Sequence, residues 1–160
     1  MIELFEAGAR DPWQRPREVV DAIAPTGTVI DLGAGTGYFA RYLAERARVI
    51  AVEPDPLLRA RLASEGFAVA DRIGAVDDPV DAVFAANVLR FLSEEERRAI
   101  ADLTRRVVLL DWRTGPRPVG PPKEDAMEPD LAIRAFPRFR LGPTHDFLPY
   151  QWMVELERVD

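Results

Sequence analysis

Apolar residues fall along this chain in two alternating rhythms. Runs that are apolar at nearly every position, at residues 29–32, 49–52, 67–70, 80–86 and 107–110, predict strands buried on both faces, since a strand with one solvated face would alternate instead. Between the runs, apolar residues recur three or four apart. Val19, Val20 and Ile23 follow Pro16, Leu58 and Leu62 follow Asp55-Pro56, and Ala99, Ile100 and Leu103 follow Ser93-Glu94-Glu95-Glu96. Each group predicts a helix: Pro16 suits a first turn, Asp55 an N-cap, and Ser93 with Glu96 a capping box. Tyr38-Phe39-Ala40-Arg41-Tyr42-Leu43 predicts one more, while Pro25 and Gly66 end two of them. The acids at 94–96 favour the positive end of their helix and need no further role.

The rhythm changes in the last third. Residues 113–123 hold too many prolines and glycines for regular structure. Leu131, Ile133 and Ala135 mark a helix over 128–136 that halts before Pro137. Phe139 and Leu141 alternate with Arg138 and Arg140 as a strand. Tyr150, Trp152, Val154 and Leu156 then alternate with Gln151, Met153, Glu155 and Glu157 in a last strand, after a loop that carries His145 and suits an antiparallel pair. Residues 1–13 lack a clear period, and Asp11-Pro12 punctuates them. The whole predicts an α/β three-layer sandwich, a seven-stranded and mostly parallel sheet in one domain over 1–160, with residues 1–25 as an N-terminal cap segment.

Between the first and second strands the chemistry is concentrated. Val29-Ile30-Asp31-Leu32-Gly33-Ala34-Gly35-Thr36-Gly37 takes a strand into three alternate glycines and then a helix start. Such a turn offers backbone N–H groups and a bare surface to a nucleotide-like ligand at the carboxyl edge of an open sheet. The second strand, Arg48–Val52, ends in Glu53, about 20 residues beyond the first glycine, where a carboxylate can accept from both hydroxyls of a ribose. The glycine spacing is not that of a dinucleotide fingerprint: the third glycine comes one residue early, and Asp31 stands two residues before the first.

Asp31-Leu32-Gly33-Ala34-Gly35-Thr36-Gly37 followed by Val49-Ile50-Ala51-Val52-Glu53 resembles the class I S-adenosylmethionine-dependent methyltransferases. The resemblance implies a Rossmann-like sheet of order 3-2-1-4-5-7-6 with the seventh strand antiparallel, and S-adenosylmethionine as cofactor. It implies that Gly33, Ala34, Gly35, Thr36 and Gly37 lie against the methionine moiety, that Asp31 acts through its carboxylate and local waters, and that Glu53 holds the ribose. Asp71, after the third strand, matches an acid that accepts from the adenine amino group, and Asn87, at the tip of the fourth, is counted with the cofactor residues. In small-molecule methyltransferases the fourth strand often leads into Val-Leu-His-His; here Arg90 and Phe91 replace the histidines, so a His base at that spot is excluded. Nor does Asn87 open an Asn-Pro-Pro-aromatic tetrad, since Val88 follows it. Trp13-Gln14-Arg15-Pro16, Gly120-Pro121-Pro122 and Phe147-Leu148-Pro149-Tyr150-Gln151 also resemble elements of a subgroup of small members.

Composition bounds the partners. A net charge of −6 and a pI near 4.9 oppose binding to phosphate backbones, so a small-molecule acceptor is expected rather than nucleic acid. No run approaches eighteen apolar residues and the first residues carry acids, so no membrane partner and a cytoplasmic setting are expected. The chain has no Cys and one His, which leaves neither disulfides nor a thiolate site and supplies metal chemistry poorly. One Asn, two Gln and no Cys, with fourteen Pro, fit heat adaptation, and GC-rich coding, which twenty Arg to one Lys suggest, skews Arg, Ala and Pro likewise. On the acceptor side the sequence offers Trp13, Arg90, Arg113 and Tyr150 as substrate-binding residues, with loop 113–123 at the pocket mouth. Asp111, His145 and Tyr150 are the candidates by position for a proton acceptor. Two other readings share the glycine turn: a non-catalytic S-adenosylmethionine-binding protein and a nicotinamide-dependent oxidoreductase.

Overall fold

The computed structural model describes residues 7–160. β1 (Thr28–Leu32), β2 (Arg48–Val52), β3 (Ala68–Ala70), β4 (Ala82–Ala86) and β5 (Arg106–Trp112) pair in parallel, while β7 (Gln151–Arg158) lies antiparallel between β5 and β6 (Phe139–His145). The order across the sheet is β3-β2-β1-β4-β5-β7-β6, as the resemblance implies. The parallel core strands are apolar throughout because helices cover both their faces. Ile30, Val83, Leu109 and Leu156 share one buried cluster, and Val29, Phe84, Val108 and Met153 share the other. Each such fully buried side chain contributes about 1.5–3 kcal/mol.

α2 (Pro16–Ile23), α3 (Tyr38–Leu43) and α4 (Pro56–Ser64) cover one face, and α5 (Glu94–Leu103) and α6 (Pro129–Arg134) cover the other. Asp55 caps α4 by accepting from Leu57 N–H and Leu58 N–H at 2.8 and 3.1 Å. Ser93 and Glu96 complete a capping box on α5, with Ser93 N–H donating to Glu96 at 2.7 Å. After β3 the chain makes only a 3-10 turn, Ile73–Ala75, whose buried Ile73 fills the place of a helix.

Three elements differ from the expectation. Residues 1–6 lie outside the described residues, but Ala7–Gln14 form a helix, α1, straight through Asp11-Pro12. Tertiary anchors outweigh the proline: the Tyr38 hydroxyl donates to Asp11 at 2.5 Å and Arg10 lies 4.1 Å above the Tyr38 ring. β6 runs on to His145, so that residue is in a strand and not in a loop. Pro143 falls within a register shift between Leu141 and Thr144, and an edge strand tolerates its missing N–H at such an irregularity. In α6, Leu131 is exposed, and it is Ala132 together with Phe136 beyond the helix that packs into the core. Ile133 and Ala135 pack against the same cluster as expected, so only Leu131 departs from the expected stripe.

Candidate functional site

The parallel strands end together at one edge, and the antiparallel β7 begins there, with Gln151 beside Trp112. At the tip of β1 the chain turns through Gly33, Gly35 and Gly37, all with positive φ (+73°, +57° and +87°). Gly33 and Ala34 donate to the Val52 carbonyl at 2.8 and 3.1 Å, which locks the turn to β2. A Cβ on Gly33 would lie 2.4 Å from Val88 Cγ1, so the turn is packed on the segment after β4. At Gly35 the same position is open, with only the Gly33 carbonyl at 4.0 Å.

Glu53 is not a solvated strand end. It is 7 % exposed, its Oε1 accepts from Gly35 N–H at 2.8 Å, and its Oε2 accepts from Asp55 N–H at 2.9 Å. Each oxygen keeps one further lone-pair direction. Asp31 lies beside it on the helix-α3 face of β1, 3 % exposed, and its Oδ2 has no hydrogen-bond partner. Burial pushes the Asp31 carboxyl up to about 7, and the Glu53 charge adds to this, whereas the Arg10 guanidinium and the Ala40 N–H oppose it.

The other half of the edge is built by α1. Arg10 donates through Nε to Gln14 Oε1 at 2.9 Å and again through Nη2. Gln14 Nε2 donates to Gln151 Oε1 at 2.9 Å, and Gln151 Nε2 donates to Asn87 Oδ1 at 2.5 Å. Gln14 and Gln151 are fully buried. Trp13 lies on Trp112 with ring centroids 5.1 Å apart, and Arg117 sits 5.5 Å from the Trp112 ring. Both halves therefore meet beneath α1, which the sequence left without an element.

A family model described as "Methyltransferase domain" matches residues 29–109, half of the chain, from the first strand to the fifth. The chain belongs to this methyltransferase family. No curated protein matches it in sequence. Its fold is similar to a protein from Sulfolobus solfataricus assigned as a type 11 methyltransferase (TM-score 0.84, 20% identity, 91% of this chain and 93% of that one). It is also similar to a SAM-dependent methyltransferase from Aquifex aeolicus (TM-score 0.80, 20% identity, 99% and 97%). A third structure, the 1,6-didemethyltoxoflavin-N1-methyltransferase of Burkholderia thailandensis with 1,6-didemethyltoxoflavin and S-adenosylhomocysteine bound, gives a TM-score of 0.65 at 19% identity over 92% of this chain and 78% of that one.

In this methyltransferase the remaining candidates divide by face. Asp71 is exposed in the bend after β3, 3.3 Å from Arg72. Asp111 and Arg90 lie on the α5 side: Asp111 is buried, which raises its pKa, accepts from the N–H groups of Trp112 and Leu89, and so fastens β5 to the segment after β4. Arg90 pairs with Asp125 at 2.7 Å. Trp13 is on the opposite face, so Arg90 and Trp13 are not brought together by one wall. Arg113 donates to the Gln151 carbonyl at 3.1 Å and pairs with Asp146, while Tyr150, half-buried, accepts through its carbonyl from Arg113 N–H at 3.1 Å. His145 is bound to Glu155 at 2.7 Å, and Arg106 Nε donates to the same carboxylate at 2.7 Å. That trio, centred on the buried Glu155, ties β6, β7 and β5 together and answers for the histidine. Arg10, Gln14 and Gln151 are the site residues that sequence reasoning missed; the one available signal was that a chain so poor in carboxamides keeps one in each of its Trp13-Gln14 and Tyr150-Gln151 elements.

Among the described residues, no helix is long and apolar enough to cross a membrane. A cavity of about 260 Å³ between α5 and the start of β6, edged by Arg97, Arg98, Arg134 and Arg138, lies away from the strand tips.

Proposed function

We propose that this methyltransferase binds S-adenosylmethionine over the tips of β1 and β2 and passes its methyl group to a small-molecule acceptor beside β4, β5 and β7. The carrying observation is the buried Asp31 Oδ2 that lacks a protein partner, next to the open position at Gly35. A carboxylate oxygen in that state calls for an ammonium or another donor, and a side-chain-free turn for close approach. Glu53, oriented by two backbone N–H groups, keeps lone pairs for the ribose hydroxyls. Ala34, Thr36 and Gly37 line the turn, Gly33 sets its contact with Val88, and Asp71 stands by the adenine end. Asn87 stands at the tip of β4, on the acceptor half.

The cofactor, when bound, supplies a methyl group already activated on sulfur, so placement and water exclusion dominate; near-attack placement alone is worth roughly 7–11 kcal/mol. The chain's own residues supply that placement. α1 covers the edge through Trp13 and the Gln14 contact, and the loop at 113–123 borders it, with Arg113 and Tyr150 at its base. Asp111 already accepts from two backbone N–H groups and holds the scaffold instead of taking a substrate proton. The acidic charge favours a small acceptor over nucleic acid, and the cysteine-free composition fits a cytoplasmic setting. The small acceptor bound by the Burkholderia enzyme supports the same class here. The test is a screen of small oxygen, nitrogen and sulfur nucleophiles with S-adenosylmethionine, read as S-adenosylhomocysteine released. Release that depends on an acceptor is expected; a protein that binds the cofactor yet turns over with none of them supports a binding role instead.

A further inference from the structure

The chain has three side-chain carboxamides, Gln14, Gln151 and Asn87, and all three stand in one hydrogen-bonded row that starts at Arg10. The row has a forced direction. A guanidinium can only donate, so Gln14 must turn its oxygen to Arg10 and its NH2 onward. Gln151 then receives that NH2 on its own oxygen and passes its NH2 to Asn87 Oδ1. Asn87 is left with its carbonyl engaged and with an Nδ2 group that has no partner among the described residues. The two glutamines are fully buried, so no water can reverse them one at a time. Asn87 is itself held: its backbone N–H donates to Leu110 at 2.8 Å, and its φ of +63° is a conformation that asparagine accepts more readily than most residues.

We infer that Asn87, aligned through Gln151 and Gln14 by Arg10, presents a hydrogen-bond donor to the methyl acceptor and selects acceptors that offer a carbonyl, carboxylate or other lone-pair group there, against those that offer N–H. The inference rests on the methyl-transfer reading above. It assigns Asn87 to the acceptor side because β4, β5 and β7 tips carry it, Trp112 and Gln151, whereas the glycine turn, Glu53 and Asp71 occupy the tips of β1, β2 and β3. Gln14 and Gln151 are positioning residues: they act only through the polarity they impose on Asn87. An acceptor amine would meet a donor facing a donor.

With three carboxamides, a 1H–15N spectrum holds three side-chain NH2 pairs, and each can be assigned by substitution. The protein saturated with S-adenosylhomocysteine is titrated with acetophenone, which accepts only, and with indole, which donates only. Both are neutral and planar. The Asn87 pair is expected to move with acetophenone at roughly tenfold or more lower concentration than with indole, the discrimination one matched hydrogen bond provides. Gln14→Glu keeps the bond from Arg10 but offers an acceptor to Gln151, so Gln151 and Asn87 must both invert; this variant, again saturated with S-adenosylhomocysteine, is expected to reverse the order of the two probes. An equal response, no response, or a preference for indole in the parent protein overturns the inference, as does an unchanged order in Gln14→Glu. Failure of S-adenosylhomocysteine to bind at all brings down the donor reading first, and is seen separately at the Gly35 amide.

Discussion

Asp31 and Glu53 are neighbouring carboxyls at two strand tips, and their environments give them opposite duties. Glu53 accepts from two backbone N–H groups, one on each oxygen. Replacing it with Ala removes the partner of Gly35 and Asp55, so it is expected to loosen the turn as well as the ribose contact. Bonds to a charged group are worth about 1.5–3 kcal/mol, so S-adenosylhomocysteine affinity should fall tenfold or more by calorimetry, with a lower melting temperature. Unchanged values of both would show that neither contact matters. Asp31 carries a displaced pKa. Its folded pKa of about 7 lies above the ordinary 3.8, so the folded protein holds this proton more firmly than the unfolded chain does. The stability this contributes is full below the unfolded value and is lost as pH rises toward and through 7. A bound ammonium beside Asp31 reverses the preference and favours the carboxylate. Cofactor affinity should therefore rise with pH up to about 7 and level off above it, with proton release detected by calorimetry in buffers of different ionisation enthalpy. Asp31→Asn should flatten the profile; a flat profile in the parent protein would show that Asp31 does not meet the cation.

At the scale of elements, Arg113 and Thr114 tie down the start of the loop from 113 to 123, and one side chain spans the rest. Arg117 donates to the carbonyls of Arg113, Gly115 and Pro121 at 3.1, 3.3 and 2.5 Å, and lies over Trp112, against which Gly120 packs where a Cβ would clash. Arg117→Ala should speed amide exchange through this loop and leave the exchange of β4 as it was, because in the sheet only Trp112, at the end of β5, loses a contact. Equal exchange in both proteins would mean that the prolines alone set the loop. α1 teaches a different lesson. Its residues carry no apolar period, and a proline stands inside it, so propensity argued for a break; its stability is tertiary, from Tyr38, Trp112 and Gln151. A sequence shows periodicity readily and such partners poorly. The same holds for β6, where the pattern predicts a loop before His145 and the strand instead continues through a register shift on the sheet edge.

For the whole molecule, the layout was legible because the strand runs, capping signals and glycine turn are local. Asp31, Gly33, Gly35, Gly37 and Glu53 do gather at one edge, since short parallel crossovers leave few other arrangements. The acceptor half was not legible. Gln14, Gln151 and Asn87 are 64 to 137 residues apart along the chain where they bond, and nothing in their spacing signals it. On the function proposed above, the edge beneath α1 takes an adenosyl sulfonium donor and not a dinucleotide. Thermal unfolding with S-adenosylhomocysteine or NAD tests it most directly. A ligand at one hundred times its dissociation constant adds about 2.7 kcal/mol, which for a chain of this size is an upward shift of several degrees. The expected result is that shift with S-adenosylhomocysteine and none with NAD; a shift with NAD alone would contradict the account.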